Sequence, residues 1–308
     1  MKLGIGLPHM MPWGLDRKLF LEWARLADEA GFHALGTLDR PNYDSWDVLM
    51  SLAAAAAVTE RVRLVTSILV LPVRNEVEVA KQAAVIDRIS EGRVDLGVGI
   101  GNRADDYEAI GSEWERRGPK LRRQVRRMRE IWSGSRSSDA DNGILGPAPV
   151  QEPGIPVIVG GAAEAAVKRA IEIGDGFIFG GGVPAAAVAE QLPKLREQAA
   201  AKGKRHYLFY KIQYCAIGEP EKVLEEAAHD LLRYYRNPNM PFDKMVVRGS
   251  TGVLKEHARQ LAGTGLDVLI YLPAVLDLKQ VERIAEDVLP DYRSASSYPA
   301  SSSEATPR

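Results

Sequence analysis

The sequence predicts a closed (β/α)₈ barrel, and three observations carry that prediction. Short β-rich runs alternate with segments of helical periodicity along the chain. Several of those runs are apolar on both faces. Eight such repeats fill about 290 of the 308 residues. Continuous apolar strands followed by helices imply a parallel sheet covered by helices. Eight repeats in this length fit a barrel of usually about 250 residues plus insertions. An open doubly wound sheet is the structural alternative.

The elements follow in order. Strand one is expected over residues 2–7. In the helix after it, Leu19, Trp23, Leu26, Ala27 and Ala30 form one stripe at helical spacing, and Gly31 supplies the stop. Strand two covers 33–39, with a helix over 46–59. Strand three, over 62–71, contains the clearest two-faced apolar run, Leu64-Val-Thr-Ser-Ile-Leu-Val-Leu71. The helix over 76–90 turns Val79, Ala83 and Ile86 to one face, with Gly92 beyond its end. Strand four, over 93–101, ends in alternating glycines (Gly97, Gly99, Gly101). Asn102, Arg103, Asp105 and Asp106 come next and do not read as a helix start. Further helices are expected over 119–132, 163–173, 185–202, 220–235, 255–262 and 278–289. Strands five to eight are expected over 156–160, 176–180, 207–217 and 267–272. Two long loops, 134–154 and 236–252, are placed to cover an active site. Residues 1–290 read as a single domain and 291–308, rich in Ser, Pro and Ala, as a disordered tail.

The composition excludes several classes of function. Lys plus Arg total 40 against 41 Asp plus Glu, so no basic excess points to nucleic acid or a membrane surface. The one cysteine, Cys215, rules out an intramolecular disulfide and a cysteine metal cluster. The N-terminal run is too short and strand-like for a signal peptide. No apolar run nears the roughly 18 residues of a membrane span, so a cytoplasmic location is expected.

In a barrel, catalytic groups lie at the C-terminal ends of the strands. That rule selects His9, Asp39, Thr66 to Ile68, Asn102, Gly160, Gly161, Gly180, Gly181 and Tyr271. The segment Pro156-Val-Ile-Val-Gly-Gly-Ala-Ala-Glu164 runs strand, Gly-Gly, helix, and bare glycines at a helix start expose N–H groups to an anion such as phosphate. A tight turn would use glycine equally well. Phe177-Ile-Phe-Gly-Gly-Gly182 offers a second stretch of bare backbone. The alternating glycines of strand four lack the spacing of a dinucleotide fingerprint. They leave one strand face without side chains, which suits either barrel packing or a flat ring beside Gly99 and Gly101. The five histidines show no metal-ligand spacing, and Asp139-Ala-Asp-Asn-Gly143 has Val150 where a calcium loop needs its closing Glu. Lys211 falls on strand seven without the rest of an aldolase site. With few strong acids or bases at strand ends, the chemistry is expected to come from a cofactor.

Residues 61–75, Ala80-Lys-Gln82 and Asp87-Arg-Ile-Ser-Glu-Gly-Arg-Val-Asp-Leu-Gly-Val-Gly-Ile-Gly101 together resemble the bacterial luciferase-like oxidoreductases. Val157-Ile-Val-Gly-Gly-Ala-Ala-Glu-Ala165 and Gly174-Asp-Gly-Phe177 extend the resemblance, which covers roughly residues 1–290. It implies a barrel that binds FMN or the 5-deazaflavin coenzyme F-420 at its C-terminal end. It also implies a non-proline cis peptide at Ser67–Ile68, with Ile68 bulging against the back of the cofactor ring. Asp39 is expected near the ring, and Thr66, Ser67 and Ile68 beneath it. Gly160, Gly161 and Ala162 are expected to hold the phosphate through backbone N–H groups, helped by Gly180 and Gly181.

Departures from the family pattern bear on the reaction. Relatives that use deazaflavin often carry His after the strand-two Asp and Glu after the strand-four glycines; this chain has Arg40 and Asn102. An amide has no proton to give, so Asn102 is expected to hydrogen-bond ring or substrate, and His9 is the side-chain acid/base candidate. Ile100 stands where luciferase pairs an Arg with the phosphate, which leaves that phosphate to backbone groups. Two chemistries follow: monooxygenation with reduced FMN supplied by a separate flavin reductase, or hydride transfer with reduced deazaflavin, in either case on a small-molecule substrate. A flavin-binding barrel without turnover and a phosphate-binding isomerase or lyase are the other classes. The resemblance further implies a homodimer.

Overall fold

Successive side chains of a strand point to opposite faces, and in this chain both faces are buried, so the strands divide their apolar residues between two cores. The computed structural model describes residues 1–292 except 12, 135, 139–140, 220–221, 223–224, 226, 228, 230, 232–233 and 236–244. Its eight barrel strands are β1 (Lys2–Gly6), β2 (Ala34–Thr37), β3 (Arg63–Thr66), β4 (Val94–Gly99), β5 (Val157–Gly160), β6 (Gly176–Phe179), β7 (Leu208–Ile217) and β8 (Val268–Pro273). They pair in parallel from β1 through to β7; β7 then pairs with β8, and β8 with β1, closing the barrel. Leu3, Leu35, Leu64, Leu96, Val157, Phe177, Phe209 and Leu269 face outward to the helices. Ala34, Val65, Ile158, Ile178, Tyr210, Ile212, Val268 and Ile270 fill the interior. Near the bottom of the barrel the Asp95 carboxylate accepts from Arg63 at 2.6 and 2.5 Å and from the Tyr210 hydroxyl at 2.9 Å.

The surrounding helices are α1 (Arg17–Ala30), α2 (Val48–Ala56), α3 (Glu76–Ile89), α4 (Ala104–Ile110), α5 (Arg117–Trp132), α6 (Glu164–Ile173), α7 (Ala185–Ala201), α8 (Thr251–Ala262) and α9 (Lys279–Arg283). Side-chain caps start several of them. Asp16 accepts from Leu19 N–H, Asp47 from Leu49 and Met50 N–H, and Asn75 from Val77 N–H. Gly31, at a φ of 87°, ends α1 as its position predicts.

Each expected strand has a counterpart, but strand three, expected over 62–71, ends at Thr66 and resumes only for Leu69–Val70; three further corrections concern what lies between. The residues after the β4 glycines do start a helix: α4 begins at Ala104, with Asp105 and Asp106 in its first turn. Carboxylates there favour the positive helix end, although by composition alone they read as loop. The 134–154 loop carries an antiparallel hairpin, Arg136–Ser138 with Asp141–Ile144. Within 236–252, residues 245–252 are not loop alone. Val246–Gly249 adds a parallel strand beside the end of β7, and α8 starts at Thr251. Residues 236–244, most of the helix expected over 220–235, and the tail from 293 lie outside the described residues. Among the described residues no helix is long and apolar enough to cross a membrane, and no group of three potential metal ligands occurs.

One contact sets how closely β3 and β4 approach. A Cβ added at Gly97 would lie 1.8 Å from the Thr66 carbonyl oxygen. Gly97→Ala must therefore displace backbone, and we expect a loss of about 3 kcal/mol or failure to accumulate soluble protein. At Gly180 an added Cβ meets nothing within 4 Å. Measured by urea unfolding alongside Gly97→Ala, Gly180→Ala is expected to stay within about 0.5 kcal/mol of the parent.

Candidate functional site

The residues after β3 build one wall of the site. Thr66 Oγ1 donates to the Gly97 carbonyl at 2.6 Å, and Ser67 Oγ donates to the Thr37 carbonyl at 2.6 Å. The Ser67–Ile68 peptide is cis, as the resemblance implied. Chain pairing resumes at once, with Leu69 beside Val98 and Val70 beside Gly99. Ile68 lies across the bare backbone of two strands. A Cβ at Gly99 would come within 2.8 Å of its Cδ1, and one at Gly160 within 2.7 Å of its Cγ2. The glycine face of β4 is therefore filled at Gly97 and Gly99 by the β3 extension, and that extension presents an aliphatic surface above it.

Asp39 holds this wall from behind. Its carboxylate accepts from Val70 N–H at 2.9 Å and pairs with Arg74 at 2.9 Å, while Arg74 also reaches Asp47 at 3.1 Å. Burial pushes the Asp39 carboxyl above its ordinary range, and the Arg74 guanidinium opposes that push. With two donors in place, the pair acts as a hydrogen-bonded anchor for the bulge.

Above Ile68 opens a cavity of about 590 Å³ at the C-terminal ends of β4, β5 and β6, within the range of roughly 300–1,000 Å³ usual for small-molecule sites. Ile68, Ile100, Ile178, Phe179 and Ile212 give it apolar sides, and Asn102 stands at its edge. At the far end the chain turns through Gly160, Gly161 and Ala162 into α6. Gly161 has a φ of 153°, and a Cβ there would strike Ala166 at 2.5 Å. The α6 start has no side-chain cap, so its first N–H groups depend on solvent or a ligand.

Two arginines face the same end. Arg169, on α6, is only 4% exposed, yet its Nε has no hydrogen-bond partner. Burial, then the charges of Arg122 and Arg117, hold its guanidinium below the usual arginine range. Arg117, the first residue of α5, stacks its guanidinium 3.5 Å from the centre of the Trp114 ring and donates to the Trp114 carbonyl at 2.7 Å. Its Nε is likewise buried without a partner. Arg117, Trp114 and Arg169 were not singled out from the sequence. Arg117 is lost among the arginines of a solvated helix. The available signal for Arg169 was its place on the stripe of Ala166, Ala170 and Ile173, an apolar face where a charge needs a reason.

Of the residues expected from sequence, Ser67, Ile68, Gly99, Gly101, Asn102, Gly160, Gly161, Ala162 and Gly180 line this cavity together. His9, Asp39, Thr66 and Gly181 do not. His9 is buried in the turn after β1. Its Nε2 lies 2.7 Å from the Leu38 carbonyl and 3.1 Å from the Leu38 nitrogen, and its Nδ1 lies 3.2 Å from the Leu7 carbonyl. Burial lowers its pKa, so the neutral ring ties the ends of β1 and β2 together. Gly181 packs under the Tyr214 ring. Tyr271 points outward, with its hydroxyl donating to the Leu254 carbonyl. Lys211 is fully buried, its Nζ donating to the carbonyls of Gly180 and Ile212, and burial lowers its pKa to about 7.

The barrel mouth beside the cavity is aromatic. The Tyr214 and Tyr235 hydroxyls are 2.5 Å apart, and Tyr234 meets Tyr43 edge to face. Arg40 donates to the Tyr234 carbonyl and pairs with Asp106, while Arg103 donates to the Tyr235 carbonyl and pairs with Asp105. Arg40 is thus occupied in holding the mouth.

The profile of luciferase-like monooxygenases matches residues 10–277. An uncharacterised protein of Mycobacterium tuberculosis is 36% identical over 194 residues, which make up 60% of this chain and 66% of that protein. The F420-dependent glucose-6-phosphate dehydrogenase of Mycolicibacterium smegmatis is 34% identical over 229 residues, 67% of each chain. The solved structure of the monooxygenase RslO1 from Streptomyces bottropensis superposes with a TM-score of 0.80 at 24% identity, covering 95% of this chain and all of that one, which shows a shared fold.

Removing the Asp39 anchor leaves Arg74 without its buried partner, and Asp39→Ala is expected to cost about 3 kcal/mol. Because the two side chains act as a pair, Asp39→Ala combined with Arg74→Ala should be less destabilised in urea unfolding than the sum of the single changes.

Proposed function

We propose that this chain, which belongs to the luciferase-like monooxygenase family, is an oxidoreductase that uses reduced FMN from a separate flavin reductase to oxygenate a small organic substrate. The observation that carries the reading is one cavity with two unlike ends: the aliphatic wall of Ile68, and a cationic end where the buried Arg169 Nε has no hydrogen-bond partner. The residues present fit a flat ring bearing a phosphate. Ile68, seated on Gly99 and Gly160, would support the ring. Gly160, Gly161 and Ala162 would hold the phosphate through the uncapped α6 start.

When bound, the reduced ring supplies the electrons, and the chain's own residues shape where they go. Ile100, Ile178, Phe179 and Ile212 exclude water from the ring's surroundings. The Asn102 side chain offers a hydrogen bond to a ring carbonyl or to substrate. Among the described lining residues none is a carboxylate or a histidine. Hydride transfer to or from a polar bond needs a proton to be moved in step, and this lining offers no strong group for it. Arg40, where deazaflavin relatives often carry His, is engaged with Asp106 and the Tyr234 carbonyl. This favours oxygenation. The second reading, hydride transfer with coenzyme F-420, draws its support from the 34% identity to the dehydrogenase; the Tyr214–Tyr235 pair would then be a candidate proton source.

Adding FMN to the purified chain should shift the flavin absorbance. Supplying reduced FMN with a panel of candidate substrates should then give substrate-dependent oxygen uptake. Tight binding and anaerobic oxidation of reduced F-420 without any FMN binding would replace this reading with the second.

A further inference from the structure

The aromatic mouth of the barrel holds one hydrogen-bond donor more than it uses. Each tyrosine hydroxyl has one proton to give and can also accept. The Tyr214 and Tyr235 hydroxyls bond to one another at 2.5 Å, which engages one of their two protons. Among the described residues neither hydroxyl has another partner. Tyr214 is buried and Tyr235 partly so. Burial raises both phenols above the ordinary tyrosine pKa, against the pull of the Arg40 charge, so both protons stay in place at neutral pH. An O–H left without an acceptor in apolar surroundings is costly, and an oxygen on a ligand removes that cost.

The pair is fixed beside the cavity. Tyr214 lies two residues beyond Ile212 on the inward face of β7, and Ile212 lines the cavity. Its ring covers Gly181, next to the cavity-lining Gly180. Ile68 and Tyr235 pack against the same interior apolar cluster. Tyr235 is held through its backbone: Arg103 donates to its carbonyl at 2.6 Å, and Arg40 to the Tyr234 carbonyl at 2.7 Å. Asp105 and Asp106 hold the two guanidiniums in turn.

We propose that the Tyr214–Tyr235 pair donates a hydrogen bond to an uncharged oxygen of the substrate, which is a largely apolar molecule bearing a carbonyl group. This rests on the flavin reading above and names the substrate class for that site. The hydroxyl that accepts within the pair becomes the stronger donor outward. A ligand able only to donate would leave the unengaged proton unplaced. An anionic group would need a cation at the pair, and Arg40 and Arg103 are engaged with Asp106, Asp105 and backbone carbonyls. The surrounding cluster, with Leu38, Ile212, Leu272 and Val275, suits an apolar body around one hydrogen-bonded oxygen.

The test loads the full chain with oxidised FMN and follows flavin fluorescence during titration with pairs of molecules alike in shape. Cyclohexanone is compared with methylenecyclohexane, and acetophenone with α-methylstyrene. In the parent at least one ketone should bind about 3- to 10-fold tighter than its methylene partner, as one net hydrogen bond provides. Its carbonyl stretching band should move to lower frequency on binding. In the double variant Tyr214→Phe with Tyr235→Phe the preference should fall to about one and the band shift should vanish. Replacing both partners by rings of the same shape is nearly neutral for packing, and FMN affinity within about twofold of the parent reports the intact site. Of the two single changes, the one that removes the outward donor should account for most of the loss. Three results would each overturn the assignment with the flavin reading intact: ketones no tighter than their methylene partners in the parent, a preference that survives the double change, or one unaltered in both single variants. A parent chain that binds no FMN would overturn the flavin reading and this assignment with it.

Discussion

The close seating of the β3 extension on the bare face of β4 is the contact on which the rest of the site depends. The Thr66 carbonyl occupies the space a side chain at Gly97 would need, and Ile68 takes the corresponding space at Gly99 and Gly160. The extension can lie this low only because those positions have no Cβ. Thr66 and Ser67 fasten it to the carbonyls of Gly97 and Thr37, and Asp39 with Arg74 fastens the resumed strand at Val70. Hydrogen bonds and an ion pair thus serve to present one aliphatic surface, Ile68, to the cavity.

The opposite end of the cavity follows a different logic. Its walls are polar by backbone and by charge, and they are incomplete without a ligand. The α6 start has no side-chain cap, Gly161 keeps the turn open, and two arginines lack carboxylate partners among the described residues. Hydrophobic burial holds the barrel together whether or not anything binds. On the reading proposed above, a phosphate at this end would contribute to folding stability as well as affinity.

Much of this was legible in the sequence. All eight strands were, because barrel strands are apolar on both faces and glycines or helix stripes punctuate them. Gly99, Gly101, the Gly160–Gly161 turn and Ile68 converge on one cavity, Ile68 by way of family resemblance rather than any local signal. What stayed hidden was whatever depends on neighbours distant in sequence. Asp39 lies at a strand end, where a catalytic group belongs, but its orientation towards Val70 and Arg74 makes it an anchor. His9 has a suitable acid/base side chain, but the backbone around Leu38 encloses it. Arg169 and Arg117 carry no motif. Only the fold brings them to one cavity. The α4 start is not visible in the sequence because two acidic residues suit a loop and a helix N-terminus equally well by composition.

On the reading proposed above, a phosphate-bearing flavin would lie between Ile68 and the start of α6. A crystal structure of the chain grown with FMN tests it most directly. The account predicts ring density against Ile68, with phosphate oxygens within hydrogen-bonding distance of the Arg169 guanidinium and the Gly161 and Ala162 nitrogens. The account would be contradicted by phosphate density at the other groove of the barrel top, near Arg248, Ser250 and Arg283, or by a ring that leaves Ile68 uncovered.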